Sequence, residues 1–275
     1  MEMIDTGTDE LLCTIESRVA VITLNKPHKK NALGDILTPA LRQVLPVVEA
    51  DDRVGAVMIT GAGDAFCSGG DVSGMGGGGS APRSEQERVD ELTAKQETLT
   101  LKLHELQKVT IAALPGAAAG AGLSIALACD LRVASSRAFI TTAFKNVGLS
   151  GDYGSSWFLP RLIGLAKAKE LFYTADRVGA DEGLRLGIFN AVFPEDTFRD
   201  DAFAYAQTIA NGPTATLGLM KKNLHAGMDQ TLAASLRLEA EHLISAIGAD
   251  EASEAIRAFM EKRQPRFHQE TERPD

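Results

Sequence analysis

Two segments of this sequence carry the residue types and spacing that stabilise a developing negative charge. The first, VMITGAGDAFCSGGD, ends a strand-like run near Thr60 and closes on Gly69, Gly70 and Asp71. The second, TIAALPGAAAGAGLSIALACD, breaks at Pro115 and Gly116 and opens an apolar helix at Gly120, Ala121 and Gly122. The first turn of a helix carries unsatisfied N–H donors, and small residues let a ligand oxygen approach them closely. Two such turns facing each other would make a two-donor oxyanion hole. Taken singly, each segment is explained equally well by close strand and helix packing.

Other patterns carry less. Gly74, Gly76 and Gly79 have the G-x-G-x-x-G spacing, but a dinucleotide site needs a strand before it and an acidic residue ending the next strand, where this sequence is helical. The whole stretch from Ser68 to Ser80 is too glycine-rich to pack and reads as a loop. His104 and Glu105 begin an H-E-x-x-H, but position 108 is lysine, so the second ligand is missing and a surface helix is expected. Gly122-Leu123-Ser124-Ile125-Ala126 mimics a nucleophile elbow, yet Ser124 falls inside an apolar helix and no activating histidine is identified. The remaining histidines are scattered and read as solvated or packed. Cys13, Cys67 and Cys129 are odd in number, widely spaced and set among apolar residues, which suggests reduced core thiols and neither a disulfide framework nor a metal site.

The elements that must position these turns alternate. Strand-like runs occupy 19–24, 54–60, 109–114, 131–134 and 139–142; helical periodicity occupies 32–49, 85–108, 122–129, 166–174, 181–186 and, almost without interruption, 197–262. That spacing predicts an α/β fold with a helical tail. The 275 residues suffice for a large core, and 44% hydrophobic with 24% charged residues exclude a disordered chain. Twenty-eight basic against 37 acidic side chains leave a net charge of −9, which disfavours nucleic acid as a partner while leaving room for a local basic patch. The acidic N-terminus and the lack of a long apolar run predict a cytoplasmic protein with no membrane partner.

In order and spacing, LNKPHKKNAL, GDAFCSGGD, PGAAAGAGLSIALACD, GLSGDYGSSWFLPRLIG and AIRAFMEKRQPRF resemble the motifs of the crotonase, or enoyl-CoA hydratase/isomerase, superfamily across nearly the whole chain. The resemblance implies a crotonase-like spiral of ββα units over residues 1–200 and a helical C-terminal trimerisation region over 201–275, assembling as a homotrimer or a dimer of trimers. It implies an acyl-CoA thioester as the ligand, with coenzyme A as part of the substrate and no separately bound cofactor. The oxyanion donors would be the N–H groups of Gly70 and Ala121. CoA contacts would fall at Lys26, His28, Gly70, Asp71, Val72 and Ser73, with Lys26, Lys29 and Lys30 supplying positive charge, and the acyl pocket at Met75, Ser124, Phe144, Tyr153 and Trp157.

The sequence departs from the family at its chemistry. The two glutamates with which hydratases hold water match Ser124 and Phe144 here, and neither is a general acid or base at neutral pH. What remains is Asp152, at a point where isomerising and carboxylate-nucleophile subgroups often place an aspartate. One base suffices if two N–H donors hold the enolate, since a proton taken at one carbon can be returned two carbons away. A free aspartate, with a pKa of about 3.9, is too weak for this, so burial beside Phe144, Tyr153 and Trp157 must raise it. The competing structural duty for Asp152 is to cap a helix starting near Gly154. The functional alternatives are a hydratase with a non-standard site, a carboxylate nucleophile, and a catalytically silent acyl-CoA-binding protein.

Overall fold

In the computed structural model, residues 1–71 and 84–268 are described. The chain begins with β1 (Glu2–Ile4), β2 (Leu11–Glu16) and β3 (Val19–Leu24), an antiparallel meander, and continues into α1 (Leu37–Ala50), β4 (Ala56–Gly61) and β5 (Ala65–Cys67). Next come α2 (Glu85–Gln96), a π-helical turn (Glu97–Leu101), α3 (Lys102–Glu105), β6 (Val109–Leu114), β7 (Ala117–Ala119) and α4 (Ala121–Ala128). The third turn holds β8 (Leu131–Ser135), β9 (Phe139–Thr141), α5 (Ser155–Ile163) and α6 (Leu165–Thr174), followed by β10 (Val178–Gly179), α7 (Ala180–Arg185) and β11 (Ala191–Phe193). The C-terminal part is helical: α8 (Phe198–Ala210), α9 (Thr214–Gly227), α10 (Leu232–Ile247) and α11 (Asp250–Met260).

The strands form two sheets, ordered β1-β2-β3-β4-β6-β8-β11 and β10-β9-β7-β5. From β3 onward the large sheet is parallel, and β5, β7 and β9 are parallel in the small one. Each circuit of the chain therefore adds one strand to each sheet and then a helix, which is the spiral of ββα units expected from the sequence.

Alternation along the strands of the large sheet divides the core. Ala20, Ile22, Leu24, Val57, Ile59, Ala112 and Leu114 face the main cluster with Leu37, Leu41, Leu45 and Val48 of α1. Val19, Ala56, Met58, Ile111, Ala113 and Val133 face the opposite side, where α8 presents Phe198, Ala202, Ala206 and Ala210 at a four-residue period. The boundary expected at residue 200 thus falls inside a helix that covers the sheet. The helical tail, expected to be nearly continuous, is broken at Pro213, Thr231 and Ala249, each the N-cap of the helix that follows. Arg132, almost wholly buried, donates to the carbonyls of Cys129 and Ile188, so the end of α4 is closed by a guanidinium.

Candidate active site

The parallel pairing of β5 with β7 sends both strands toward the same edge, and each ends in one of the two small-residue turns. The turns touch. A Cβ built on Gly69 would lie 3.0 Å from Ala119 O and 3.7 Å from Ala121 N, and one built on Gly122 would lie 2.5 Å from Cys67 O. Gly69 (φ +101°) and Gly120 (φ +51°) adopt backbone conformations that side chains resist. Leu33 N–H donates to Gly69 O (2.8 Å) and Asp71 N–H to Leu33 O (2.7 Å), tying the first turn to the N-A-L segment. That segment is organised by fully buried Asn31, whose Oδ1 accepts from Lys26 N–H and whose Nδ2 donates to Ala62 O and Ala65 O. Among the described residues no hydrogen bond uses the N–H of Gly70 or Ala121. Gly70 is exposed and Ala121 heads α4.

Ser124, one turn into α4 and fully buried, spends its hydroxyl on backbone carbonyls: Asp152 O at 2.8 Å, with Gly120 O at 3.2 Å. It thereby links the second turn to the loop of residues 148–154. That loop is strained, with positive φ at Gly148, Gly151, Tyr153 (+52°) and Gly154. A buried tyrosine in the left-handed region costs on the order of 1–3 kcal/mol and persists only where its surroundings hold it. Here Tyr153 OH accepts from Arg42 Nη2 at 3.2 Å.

Asp152 is half-buried. Its Oδ1 accepts from Tyr153 N–H (2.9 Å) and from Gln96 Nε2 (2.5 Å), while Oδ2 makes no hydrogen bond to the described residues. Burial pushes its carboxyl above the usual aspartate range, against the opposing pull of those two donors. The capping duty is not observed: α5 is capped by Gly154 with no side-chain bond, and among the described residues the one backbone amide that the carboxylate reaches is that of its neighbour Tyr153.

The residues expected around Asp152 are brought together unevenly. Phe144 is buried, its Cε1 lies 3.8 Å from the position a Gly120 Cβ would take, and its ring stacks with Phe172 at 6.3 Å. Tyr153 and Trp157 line a cleft of about 270 Å³ with Gln96, Thr100, His104 and Phe158. Trp157 remains 39% exposed, with the Arg161 guanidinium 3.7 Å above its ring. His104, expected on a surface helix, is drawn into this group: it lies edge-on to Trp157 (5.2 Å) and stacks on His225 at 4.0 Å. Burial, helped by the neighbouring charges of His225 and Lys221, pushes the His104 imidazole down to about 4.

The basic residues expected to meet CoA are engaged. Lys26 Nζ lies 3.3 Å from Glu10 and 3.9 Å from Asp71, and Lys29 Nζ lies 2.8 Å from Asp71. His28 is exposed in the short turn Pro27–Lys29. Val72, Ser73, Met75 and the glycine run lie outside the described residues. All three cysteines are free and buried, with burial raising Cys67 and Cys129 to about 12. Among the described residues no three His, Cys, Asp or Glu side chains gather closely enough to hold a metal ion, and no helix is long and apolar enough to cross a membrane.

Gln96 and Arg42 were not anticipated from the sequence. A signal for Gln96 exists there: it lies three, seven and ten residues before Leu99, Leu103 and Leu106, a polar residue on the apolar stripe of its helix.

Comparison with known proteins adds the following. The family model described as Enoyl-CoA hydratase/isomerase matches residues 14–270. The chain is 37% identical over 254 residues to a probable enoyl-CoA hydratase of Rhodobacter capsulatus, spanning 92% of this chain and 95% of that one. It is 34% identical over 245 residues to 4-chlorobenzoyl coenzyme A dehalogenase-1 of an Arthrobacter species (89% and 88%). It is 32% identical over 257 residues to 1,2-epoxyphenylacetyl-CoA isomerase of Escherichia coli (94% and 97%). Among solved structures, a putative enoyl-CoA hydratase of Streptomyces coelicolor superposes with a TM-score of 0.87 at 34% identity, covering 94% of each chain.

Proposed function

Because the chain belongs to the enoyl-CoA hydratase/isomerase family, we propose that it is an acyl-CoA enzyme that shifts the double bond of an enoyl-CoA, with Asp152 as the base. The observation that carries this reading is the state of the Asp152 carboxylate. It is half-buried, its basicity is raised, and both of its hydrogen bonds fall on Oδ1, which leaves Oδ2 for proton transfer. Positions 124 and 144, where the resemblance puts the hydratase glutamates, hold a serine bonded to backbone carbonyls and a phenylalanine in an apolar wall.

In this mechanism the thioester oxygen lies against the N–H groups of Gly70 and Ala121. Removal of a C2 proton from a 3-enoyl-CoA by Asp152 Oδ2 places negative charge on that oxygen, where each donor is worth about 3 kcal/mol to the transition state. The electron pair shifts along the conjugated system, and the proton returns from Oδ2 to C4, giving the 2-enoyl thioester. No water enters the balance. The CoA portion would run past Lys26, His28 and the 70–73 backbone, where Asp71 must share its lysine partners with the phosphates. Assembly as a trimer or dimer of trimers is supported by α10, which has no buried residue and exposes Leu236, Leu243 and Ile247.

Asp152→Asn is the direct test. Turnover of a 3-enoyl-CoA, followed by the absorbance of the conjugated product, should fall by about 10² to 10⁴, with the affinity for a saturated acyl-CoA unchanged; retained turnover would remove Asp152 as the base. The similarity to a 4-chlorobenzoyl coenzyme A dehalogenase favours a second reading, in which Asp152 attacks as a nucleophile. Intact mass during turnover separates the two, because carboxylate displacement of a leaving group such as halide from the acyl moiety gives an ester that carries the whole acyl-CoA, and a proton shuttle adds nothing.

A further inference from the structure

Gln96 has no role in the reading above, yet it makes the shortest contact to its central residue. Nε2 donates to Asp152 Oδ1 at 2.5 Å, on the same oxygen that accepts from Tyr153 N–H. Gln96 is the last residue of α2, directly before the π-helical turn Glu97–Leu101. A π turn inserts one extra residue into the helical register and often marks a functional position. Gln96 reaches Asp152 in the 148–154 loop, and Leu99 and Leu103 beyond it are fully buried.

We propose that Gln96 is the positioning residue for Asp152: its amide fixes Oδ1, and in doing so presents Oδ2 to the acyl group as the atom that takes and returns the proton. This rests on the assignment of Asp152 as the base. The residue type matters. A lysine or arginine here would bind the carboxylate more tightly but stabilise its charged form, weakening it as a base, whereas a neutral amide orients the group at a smaller loss of basicity. An apolar residue would leave Tyr153 N–H as the one donor on Oδ1, a looser hold on the carboxylate's orientation. Among the described residues, no ionisable side chain bonds the carboxyl group. Arg42 of α1 donates to Tyr153 OH, and Glu97 and His104 line the cleft without reaching it. During the reaction Gln96 keeps both its amide protons; only the proton moving from substrate carbon to Oδ2 and back changes place.

The test compares Gln96→Leu, Gln96→Glu and Asp152→Asn on one 3-enoyl-CoA across pH. Gln96→Leu should lose about tenfold to a hundredfold in kcat, the worth of a hydrogen bond to a charged group, with less than about a threefold change in the affinity for a saturated acyl-CoA. Its acid limb in kcat/KM should move to higher pH, because the charged carboxylate has lost a donor. Gln96→Glu should be slow at alkaline pH and recover as pH falls, where the introduced carboxyl holds a proton and donates again. That recovery decides the matter even if Gln96→Leu folds poorly. If Asp152→Asn is inactive while neither Gln96 variant changes the pH profile, the proposal for Gln96 fails and the reading of Asp152 stands. If Asp152→Asn stays active, both fall. A Gln96→Leu enzyme with lowered thermal stability and lowered kcat but an unmoved acid limb would also overturn it, since that is the signature of a packing role alone.

Discussion

Gly122→Ala probes the proposed oxyanion site without replacing Asp152, the proposed base. The new Cβ would meet Cys67 O at 2.5 Å, Cys67 Sγ at 2.6 Å and Cys67 Cβ at 2.7 Å. Ordinary contacts of this kind begin near 3.4 Å, so α4 and the end of β5 must separate by about 1 Å. The obstacle includes a backbone carbonyl, which cannot swing aside as a flexible side chain would. Overpacking of this order costs about 1–3 kcal/mol, and alanine's better helix propensity, at most about 1 kcal/mol, does not offset it. For a chain of this size the melting temperature should fall by about 2–5 °C. The kinetic effect is larger than the stability effect implies. Ala121 immediately precedes the substitution and Gly70 lies three residues past Cys67, so the separation opens the gap between the two donors. Loss of one oxyanion donor typically costs 10²–10³ in kcat. Gly183→Ala is the control: its Cβ would strike the buried Phe189 ring at 2.5 Å, on α7 and away from both turns. The two variants should melt at comparably lowered temperatures, but only Gly122→Ala should lose kcat, by about a hundredfold. Equal kcat values for the two would refute the idea that the Gly70 and Ala121 amides act as a pair.

Ser124→Ala removes the hydroxyl that holds Asp152 O, and should cost about 1 kcal/mol in urea denaturation together with a few-fold fall in kcat as the 148–154 loop loosens; an unchanged kcat would show that α4 does not hold the loop. His104 gives a pH dependence with a defined sign. Its folded-state value, about 4, lies below the unfolded value near 6.5, so the unfolded chain takes up the proton first and stability falls as pH drops from about 6.5 toward 4. With the ring half-exposed, the loss is on the order of 1–2 kcal/mol after allowing for solvent screening. His104→Phe should therefore narrow the gap in melting temperature between pH 7.5 and pH 5, and an unaltered gap would assign the acid sensitivity to other groups.

The long parallel strands were legible because six-residue runs such as Val19–Leu24 and Val109–Leu114 are rich in β-branched and apolar residues and bounded by turn signals. The small sheet was legible only at β9, which lies within the run read at 139–142. Its strands are two or three residues long, and Ala65–Cys67 and Ala117–Ala119 hold no β-former beyond one phenylalanine, so only pairing with each other defines them. The helical tail read as one element because apolar residues continue across its breaks. Pro213 was the missed signal, since proline at a helix start both ends the preceding periodicity and opens the next. The stack of His104 on His225 brings together residues 121 positions apart, and nothing local announces it.

At the site, the two turns were legible from small residues following strands, and Asp152 from its place in a motif, but the direction of its carboxylate was not. Capping requires extended backbone at the N-cap and a side chain reaching the second or third helical amide. Here Gly154 takes the N-cap position in the left-handed conformation (φ +83°, ψ 7°), and Tyr153 before it is left-handed as well. Two consecutive left-handed residues turn the chain so that the Asp152 side chain leaves the α5 axis and meets Gln96 across the cleft. In the proposed mechanism the strain at Tyr153 therefore serves the chemistry. A conventional helix start would have turned the carboxylate onto an amide of the first helical turn, lowering the basicity that burial raises. The left-handed pair, held by Arg42 at the tyrosine hydroxyl and by Ser124 at the Asp152 carbonyl, keeps one oxygen unbound among the described residues.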